Sequence, residues 1–539
     1  MSPNRVLPDD AYFYNHSEEE IWRRYCGFLD LSVDAFLVIQ ERLLMEQIDL
    51  VHKSLLGRKI LGDHKPKSME EFRATVPLTD YEDYEPYLSE QREDALVEKP
   101  YLWMHTSGRS GRFKWIPYTT RALDVAARFA LGSTILAAAH KKGEVNLRPG
   151  QRMLLLVAPR PYFTGCALDY MCKERFTLEV IPPPEVADQM DFQERLALGF
   201  SLAMRHGFDH GFALASVLAR VGESMANQAR GMSMSSAMKH PATLARVGMA
   251  WLAAKRHGRA MLPSDIWHPK SIMTGGTDSR IYWDDITHYW GQEPYEGYGA
   301  TETYMLAVQS WTKSTMTFVP SMAFWEFIPE GERAKQAANP NYQPRTVLLD
   351  ELQPGEEYEV VISHFYGMPL MRYQMHDLIR VVASEDKEAG IKLPQILFRS
   401  RVSDIIQLAG LTELDERTVW QAIANTGVKI EDWAARKEYD DGRAYVRIYV
   451  EPKEQLESDH LDHAIDQQLR QLDADYRDVG EQLGLNPVRV TYLPQGSFGR
   501  YYREMKRRGA DLAHLKPPHM NAPDSAIEIL LRLGGLNPS

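Results

Sequence analysis

A loop rich in glycine and hydroxyl residues is the first segment of this chain that could do chemistry. It reads HTSGRSGRFK from His105 to Lys114. Glycines let backbone N–H groups approach a ligand closely, and converging N–H groups and hydroxyls suit phosphate oxygens. Lys114 would add a positive charge. The loop lacks the GxxxxGK[ST] pattern of common nucleotide hydrolases, and an ordinary turn is the alternative interpretation.

A second candidate is the small-residue turn GYGATET, from Gly297 to Thr303. Its Glu302 could offer a carboxylate to Mg²⁺, a hard cation that prefers oxygen ligands. The ring of Tyr298 could stack on a nucleobase. In the alternative interpretation the segment is a strand-to-helix turn in which Thr301 or Thr303 caps a helix.

Three further segments each carry one candidate. Asp377 ends MRYQMHD at a predicted strand boundary, where its carboxylate could accept two hydrogen bonds from ribose hydroxyls. Arg401 lies in the polar segment RSRVSD and could contact phosphate or ribose. Lys516 precedes two prolines, which would fix the direction of its side chain by stiffening the backbone. A surface turn, a charged linker and a surface lysine are the respective alternatives.

Alternating strands and helices must position these candidates. The apolar run at 152–158 ends at Pro159 and predicts a buried strand. Further strands are predicted at 177–182, 270–274, 345–349, 358–364 and 378–383. Helices are predicted at 18–60, at about 120–141 with Thr119 or Thr120 as N-cap, at 193–205, at 209–229 and, as two short helices, at 231–258. The alternation indicates an α/β fold with sheets flanked by helices.

The chain changes character near residue 400, where the apolar ILF at 396–398 gives way to the polar RSRVSD. Beyond that point, a charged helix is predicted at 458–474 among short strands at 428–434, 444–450 and 487–493. This pattern predicts a small α+β domain. We therefore expect an N-terminal domain at residues 1–399 and a C-terminal domain at residues 400–539.

Composition argues against several functional classes. The 539 residues carry a net charge of −12 (62 − 74), and an acidic balance disfavours non-specific binding to nucleic acids or anionic membranes. The longest apolar stretch, 125–139, is too short and too interrupted to span a bilayer. The polar N-terminus is not a secretory signal. Three cysteines, Cys26, Cys166 and Cys172, match no zinc or redox spacing, which predicts reduced thiols in a cytoplasmic protein.

The order of these segments resembles the adenylate-forming superfamily, which includes acyl-CoA synthetases, luciferases and peptide-synthetase adenylation domains. TSGRSGRFK at 106–114 is similar to its phosphate loop, and YGATE at 298–302 matches its fifth core motif. RYQMHD, ending at Asp377, lies where that superfamily has its ribose-binding aspartate. SRVSDIIQLAG at 400–410 resembles its hinge motif.

Within that superfamily the chain is most similar to the Gretchen Hagen family of acyl-acid amido synthetases. Five segments carry this likeness: VPLTDYEDYEPYL at 76–88, FKWIPYT at 113–119, FWEFIPE at 324–330, PGEEYEVVIS at 354–363 and GSFGRYYREMKRRGADLAHLKPP at 496–518. The resemblance implies a large adenylation domain and a small mobile C-terminal domain.

The resemblance also implies an amide-forming reaction in two steps. A carboxylic acid attacks the α-phosphate of Mg-ATP and gives acyl-AMP and diphosphate. An amine, typically that of an amino acid, then displaces AMP. The implied ligands of the phosphates are Thr106, Ser107, Gly108, Ser110, Gly111 and Lys114. Glu302 would bind magnesium, and the implied nucleoside contacts are Tyr298, Gly299, Ala300, Thr301, Asp377 and Arg401. Lys516 would reach the α-phosphate and the carboxylate as the C-terminal domain rotates about Ser403 or Asp404.

The chain departs from the superfamily pattern at several positions. Arg109 and Phe113 replace a threonine and a proline of the phosphate loop, and His376 replaces the glycine that usually precedes the aspartate. Glycine takes a positive φ far more readily than histidine, so the backbone at His376 is in question. The usual C-terminal lysine motif is absent, and Lys516 is assigned through the amido-synthetase resemblance alone.

The two substrates are not readable from the sequence. Residues expected near the acyl group are Phe163, Phe212, Ser216, Thr274 and Gly275. One alternative function is an acyl-CoA ligase that forms a thioester from the same acyl-AMP. Another is a non-catalytic nucleotide-binding relative. A plain ATP hydrolase is disfavoured because the chain lacks the Walker lysine–serine pair.

Overall fold

Segments rich in β-branched and aromatic residues form strands in the structure, which is a computed structural model of the chain. It describes residues 6–105, 114–157, 159–190, 192–228, 241–275, 279–339, 341–408, 412–440, 443–454, 460–473, 476–477, 488–508 and 519–535. In chain order the strands are β1 (Leu102–His105), β2 (Trp115–Tyr118), β3 (Arg152–Leu156), β4 (Glu179–Ile181), β5 (His210–Leu214), β6 (Ser271–Gly275), β7 (Tyr295–Tyr298), β8 (Ala307–Gln309), β9 (Met316–Phe318), β10 (Ala323–Pro329), β11 (Glu357–His364), β12 (Tyr373–Ala383), β13 (Gln395–Arg401), β14 (Ile406–Leu408), β15 (Thr412–Leu414), β16 (Ile430–Asp440), β17 (Arg443–Pro452) and β18 (Val488–Tyr492).

Helices begin mostly at serine, threonine, aspartate or proline, the residues that suit a helix N-terminus. Ser17 and Glu20, for example, form a reciprocal capping box. In chain order the helices are α1 (Pro8–Asn15), α2 (Glu18–Cys26), α3 (Val33–Val51), α4 (Leu55–Leu61), α5 (Met69–Thr75), α6 (Thr120–Ala138), α7 (Phe163–Tyr170), α8 (Pro184–Ala187), α9 (Phe192–His206), α10 (Ala215–Gln228), α11 (Pro241–Arg256), α12 (Pro263–Ile266), α13 (Trp283–Trp290), α14 (Glu330–Ala338), α15 (Glu416–Asn425), α16 (Leu461–Leu472), α17 (Ser497–Arg507) and α18 (Asp524–Gly534).

Two predicted elements differ from the structure. Residues 210–214 were expected to be helical but form β5, which lies between β3 and β6 and pairs with both. The predicted strand at 345–349 is reduced to one bridge, between Val347 and Phe327, followed by a 3-10 turn at Leu349–Glu351. Of the two short helices predicted at 231–258, α11 lies in the described part, and residues 231–240 lie outside it. Short apolar segments fit either periodicity, so their partners decide the outcome.

The main sheet has a parallel half with helices on both faces. Its strand order is β10–β11–β12–β13–β9–β8–β7–β6–β5–β3–β4, and β4, β3, β5, β6 and β7 pair in parallel. Residues of α6 and α7 join the largest apolar core, while residues of α9, α10 and α13 pack with Leu154 and Leu156 in a second core. Parallel strands in such a sheet present their carboxyl ends along one edge, where ligands commonly bind. Strand β7 ends there at Tyr298.

The chain divides into two compact units. One comprises Met1–Met375 with Ile379–Phe398, and the other comprises His376–Leu378 with Arg399–Ser539. The second unit contains a sheet in which β16 pairs antiparallel with β17, and β17 pairs parallel with β18. Residues of α15 and α16 contribute to its apolar core. Among the described helices, none has the combined length and apolar character that crossing a membrane requires.

Hydrogen bonds and ring stacking of one histidine, His519, stabilise the second unit. His519 donates hydrogen bonds from Nδ1 to Glu416 and from Nε2 to Asp432, the latter over 2.8 Å, and its ring stacks on Trp433 at 4.6 Å. Because both ring nitrogens face carboxylates, both carry protons. Burial alone would lower the pKa of His519, but the hydrogen bonds and charges of the two carboxylates outweigh it and raise the pKa to about 10.

This raised pKa predicts a loss of stability at alkaline pH. Below the unfolded-state pKa of about 6.5, both states hold the proton and His519 contributes fully. As pH rises from there to 10, only the folded state keeps the proton, and the contribution falls by at most about 1.4 kcal/mol per pH unit. We expect the difference in unfolding free energy between wild type and His519→Gln to shrink from pH 6 to pH 9.5 in urea titrations of the full chain.

The matched control is His463→Gln, which changes an exposed histidine on α16. A difference between wild type and His519→Gln that stays constant across this pH range would contradict a charged His519.

Candidate active site

The GYGATE segment forms a tight turn between two antiparallel strands, β7 and β8. The N–H of Tyr304 donates to the carbonyl of Ala300 over 2.8 Å, and the N–H of Ala300 returns a bond to the carbonyl of Tyr304 over 3.2 Å. A Cβ on Gly299 would lie 2.7 Å from the carbonyl oxygen of Tyr304, so no larger residue fits this position. The alternative of a helix capped by Thr301 or Thr303 is therefore wrong, because the chain continues into β8.

Two side chains from other strands hold consecutive carbonyls of this turn. The hydroxyl of Tyr118, on β2, donates to the carbonyl of Thr301 over 2.8 Å. His364, the last residue of β11, donates from Nε2 to the carbonyl of Glu302. The Nδ1 atom of His364 accepts from the N–H of Leu370 over 3.2 Å, which fixes the neutral tautomer. Burial accordingly lowers the pKa of His364 to about 3.

Lys114 is held by two tyrosines. Its Nζ donates to the hydroxyl of Tyr373 over 3.2 Å and lies 5.4 Å from the ring centre of Tyr81. Tyr81 also fixes the backbone next to the lysine, because the N–H of Trp115 donates to its hydroxyl over 2.8 Å. Aromatic faces attract a cation, so the two rings help to hold the ammonium group in this half-buried place.

The carboxylate of Glu302 acts on the same tyrosines. Burial, followed by the charge of Glu302, raises the pKa of Tyr373 and of Tyr118 well above 10. Burial raises the pKa of Tyr81 to about 12, and Glu302 adds to that effect. The charge of Glu302 therefore reaches both tyrosines that contact Lys114. At neutral pH these phenols stay protonated, so they present uncharged hydroxyls to both groups.

A buried ion-pair network fixes the start of β12. Arg372 donates to both carboxylate oxygens of Glu326, over 3.1 and 3.0 Å, and to the carbonyls of Arg73 and Val76. Its own backbone has φ of 46°, in the left-handed region, and its N–H donates to Ser363. These bonds tie the end of α5 to β10 and β11 and set the position from which the next residue, Tyr373, reaches Lys114.

The two residues expected at the ribose lie together. Asp377, on β12, is 3% exposed, and its Oδ1 lies 3.2 Å from Nε of Arg401 at the end of β13. The preceding His376 has φ of 55°. The position thus keeps the left-handed conformation that glycine usually supplies, although a histidine occupies it and is strained there.

The expected acyl-pocket residues are partly brought together. Phe163 begins α7, and its ring meets that of Tyr304 in the turn edge-on at 5.2 Å. Phe212 and Gly275 lie on the neighbouring strands β5 and β6, and a Cβ on Gly275 would lie 3.6 Å from the ring of Phe212. Thr274 is 2% exposed and packs within the fold. Ser216 is in α10, but its side chain lies outside the described residues.

Several predicted residues cannot be placed. Thr106, Ser107, Gly108, Ser110, Gly111 and Lys516 lie outside the described residues, as do Arg109 and Phe113.

Tyr298 is 7% exposed, and its ring packs against Phe398 at 5.3 Å. The sequence did not indicate Tyr81, Tyr118, Tyr373 or His364. Tyr81, Tyr118 and Tyr373 do lie in segments that carry the family resemblance, at 76–88, at 113–119 and in RYQMHD, but nothing local shows which tyrosines meet a lysine.

Glu302 fits a magnesium ion shared with substrate phosphates. Among the described residues, no three histidine, cysteine or carboxylate side chains converge on a point that could hold a metal. Mg²⁺ typically binds proteins through one or two carboxylates and completes its shell with phosphate oxygens and water. Glu302 supplies one carboxylate of this kind.

Known proteins resemble this chain along most of its length. Three models of the GH3 family match: its N-terminal domain at residues 28–207, its central domain at 316–401 and its C-terminal domain at 416–524. Indole-3-acetic acid-amido synthetase GH3.10 of Arabidopsis thaliana is 22% identical, and the match covers 88% of this chain and 90% of that protein. Jasmonoyl–L-amino acid synthetase GH3.5 of Oryza sativa subsp. japonica is 24% identical over 48% of this chain and 47% of its own.

Solved structures agree with this fold. The GH3.15 acyl acid amido synthetase in complex with 2,4-DB has a TM-score of 0.68 at 17% identity, and covers 96% of this chain and 97% of its own. A 2-hydroxyisobutyryl-CoA ligase in its postadenylation state has a TM-score of 0.59 at 14% identity, over 99% and 98%. These likenesses confirm the predicted α/β fold with a large N-terminal and a smaller C-terminal part.

The contact between Lys114 and Tyr373 predicts a role for a single hydroxyl. Tyr373→Phe keeps the ring but removes the acceptor that orients the ammonium group. We expect ATP to bind about tenfold more weakly, equivalent to about 1.4 kcal/mol, in calorimetric titrations.

Tyr84→Phe is the matched control. The hydroxyl of Tyr84 bonds to Thr79 and to the carbonyl of Met371 in the same region but not to the lysine. Equal losses of ATP affinity in both variants would mean that the Tyr373 hydroxyl acts only through packing.

Proposed function

The chain belongs to the GH3 family, and from this premise we propose that it is an ATP-dependent acyl-acid amido synthetase. It would activate a small organic acid as acyl-AMP and join the acyl group to an amine, most simply that of an amino acid. Relatives named for indole-3-acetic acid and jasmonoyl conjugates support this class of substrate pair. The single structural observation that carries the proposal is that β2 connects the two charged candidates: Lys114 precedes this strand and contacts Tyr373, and Tyr118 at its end donates to the carbonyl of Thr301, next to Glu302.

In the first step the substrate carboxylate attacks the α-phosphorus of ATP, and the bond to diphosphate breaks. Negative charge grows on the phosphate oxygens, so fixed donors and cations stabilise the transition state. Lys114 would supply one cation, already oriented by Tyr373 and Tyr81. The loop residues Thr106, Ser107, Gly108, Ser110 and Gly111 would supply hydroxyl and backbone N–H donors.

Magnesium, when bound with ATP, would neutralise charge on the phosphate oxygens. Glu302 would hold it, because its charge acts on Tyr81 and Tyr373, the two tyrosines that contact Lys114. Tyr298, with Gly299, Ala300 and Thr301, would line the adenine side.

Asp377 and Arg401 would bind the ribose and a phosphate of the nucleotide. Their ion pair orients the aspartate, whose carboxylate can accept hydrogen bonds from two hydroxyls. Lys516, carried by the C-terminal unit, would meet the α-phosphate and the substrate carboxylate. Rotation of that unit about Ser403 or Asp404 would separate the two half-reactions.

In the second step the amine nitrogen attacks the acyl carbon, the bond to AMP breaks, and the nitrogen loses a proton. Phe163, Phe212 and Gly275 would border the acyl group on the edge where β5, β6 and β7 end. The cytoplasmic location expected from the sequence is part of this proposal, and all three cysteines are buried free thiols.

Thioester formation with CoA is the second candidate, since a CoA ligase shares this fold. Both reactions start from the same acyl-AMP, so the acceptor distinguishes them.

Product analysis tests the proposed function. Purified enzyme is incubated with Mg-ATP and a panel of carboxylic acids, with amino acids, with CoA, or with neither. We expect acid-dependent diphosphate release and an amide in the mass spectrum. Glu302→Gln should lower diphosphate release by at least about 100-fold, in the range seen when one transition-state contact is lost, while its thermal unfolding stays near wild type.

A thioester in place of the amide would assign the chain to CoA ligation. Wild-type diphosphate release by Glu302→Gln would contradict the magnesium assignment.

Lys516→Ala separates the half-reactions. If Lys516 meets the α-phosphate, the variant should lose acyl-AMP formation far more than the reaction of supplied acyl-AMP with an amine. Single-turnover measurements of both steps give this ratio, with Lys506→Ala, an exposed lysine on α17, as the control. Equal losses in both steps would argue against a role confined to adenylation.

A further inference from the structure

One buried histidine contacts the backbone of the proposed magnesium ligand. His364, 1% exposed at the end of β11, donates from Nε2 to the carbonyl of Glu302 and accepts from the N–H of Leu370 at Nδ1. We propose that His364 is a positioning residue, whose hydrogen bond to the Glu302 carbonyl aims that carboxylate at the metal ion of Mg-ATP. This inference rests on the proposed function.

The hydrogen bond from His364 to the Glu302 carbonyl affects the direction of the Glu302 side chain rather than its charge. A peptide group is planar, so holding its carbonyl fixes the rotation of the plane and, with it, the Cα–Cβ bond of Glu302. Tyr118 holds the preceding carbonyl, that of Thr301, over 2.8 Å. With two consecutive peptide planes fixed by donors from β2 and β11, the turn cannot rotate without breaking both bonds. Partners outside the coordination shell commonly alter metal affinity by about 10–100-fold in this way.

The competing explanation is that His364 has a purely structural role. A second buried histidine, His210, serves as the comparison for such a role. His210 is also buried, with Nδ1 bonded to Ser271 over 2.8 Å and Nε2 to Gln151 over 3.0 Å. Burial lowers its pKa to about 4, so it too is neutral. It lies at the start of β5, at the sheet edge opposite to the turn that carries Glu302. A substitution of His210 removes packing and hydrogen bonds comparable to those lost when His364 is replaced, but it leaves the turn that carries Glu302 unchanged.

The two ring nitrogens of His364 have separate partners, which allows selective substitutions. An asparagine amide occupies roughly the place of Nδ1 and a glutamine amide roughly that of Nε2. His364→Asn therefore keeps an acceptor for Leu370 and removes the donor to Glu302. His364→Gln keeps a donor to Glu302. His210→Asn is the matched control.

The experiment measures metal dependence without turnover. Thermal stabilisation of the full chain by α,β-methylene ATP, which cannot transfer its adenylyl group because the bond between its α- and β-phosphorus is not cleaved, is followed while Mg²⁺ is titrated, and again in EDTA. We expect His364→Asn to need at least about tenfold more Mg²⁺ for half-maximal stabilisation. The stabilisation in EDTA should stay unchanged. His364→Gln and His210→Asn should lie within about threefold of wild type in Mg²⁺ requirement, even where their unfolding temperatures fall.

Two outcomes would overturn the inference. One is an unchanged Mg²⁺ midpoint in His364→Asn, and the other is equal shifts in His364→Asn and His210→Asn. Should His364→Asn not fold, His364→Gln decides alone: a midpoint near wild type agrees with the inference, and a tenfold shift contradicts it. Glu302→Gln separates this failure from that of the proposed function. If Glu302→Gln leaves the midpoint at the wild-type value, the magnesium assignment itself fails.

Discussion

A backbone carbonyl that leaves water needs a hydrogen-bond donor, and this requirement shapes the candidate site. In the turn between β7 and β8, the carbonyl of Thr301 is satisfied by Tyr118 and that of Glu302 by His364. The donors lie on strands far apart in the sequence, so the turn reaches its final form only when the surrounding sheet is complete. The backbone that carries the side chain of Glu302 is thereby held in place on both sides of this residue.

In the part of the site that the structure describes, Lys114 and Glu302 lie near neutral phenol groups. Lys114 lies against two aromatic rings, and the phenols that surround it keep their protons because burial and the charge of Glu302 raise their pKa values. Charges in such surroundings interact more strongly than they would in water. An acidic chain can therefore bind a highly charged nucleotide with a small number of well-placed cations, provided that the fold orients them before the substrate arrives.

The buried ion pair of Arg372 and Glu326 also positions residues of the candidate site. Its cost of desolvation is offset by several hydrogen bonds to backbone and hydroxyl groups, which makes the arrangement specific. The pair fixes the backbone at Arg372, the residue that precedes Tyr373. Four residues after Arg372, His376 takes a left-handed conformation just before Asp377. Strain of this kind persists where the surrounding structure holds the backbone firmly, and it is common at functional sites.

The sequence alone determined the family and the α/β class, because motifs such as YGATE and the MRYQMHD segment are local patterns with fixed spacing. It also placed α6 behind its Thr119 cap, since capping depends on near neighbours. Only the tertiary structure decided that residues 210–214 join the sheet, because pairing with β3 and β6 outweighs their helical pattern. It alone brought Tyr81, Tyr118, Tyr373 and His364 to the motif residues. Those contacts join residues far apart in the chain, and no local pattern encodes them.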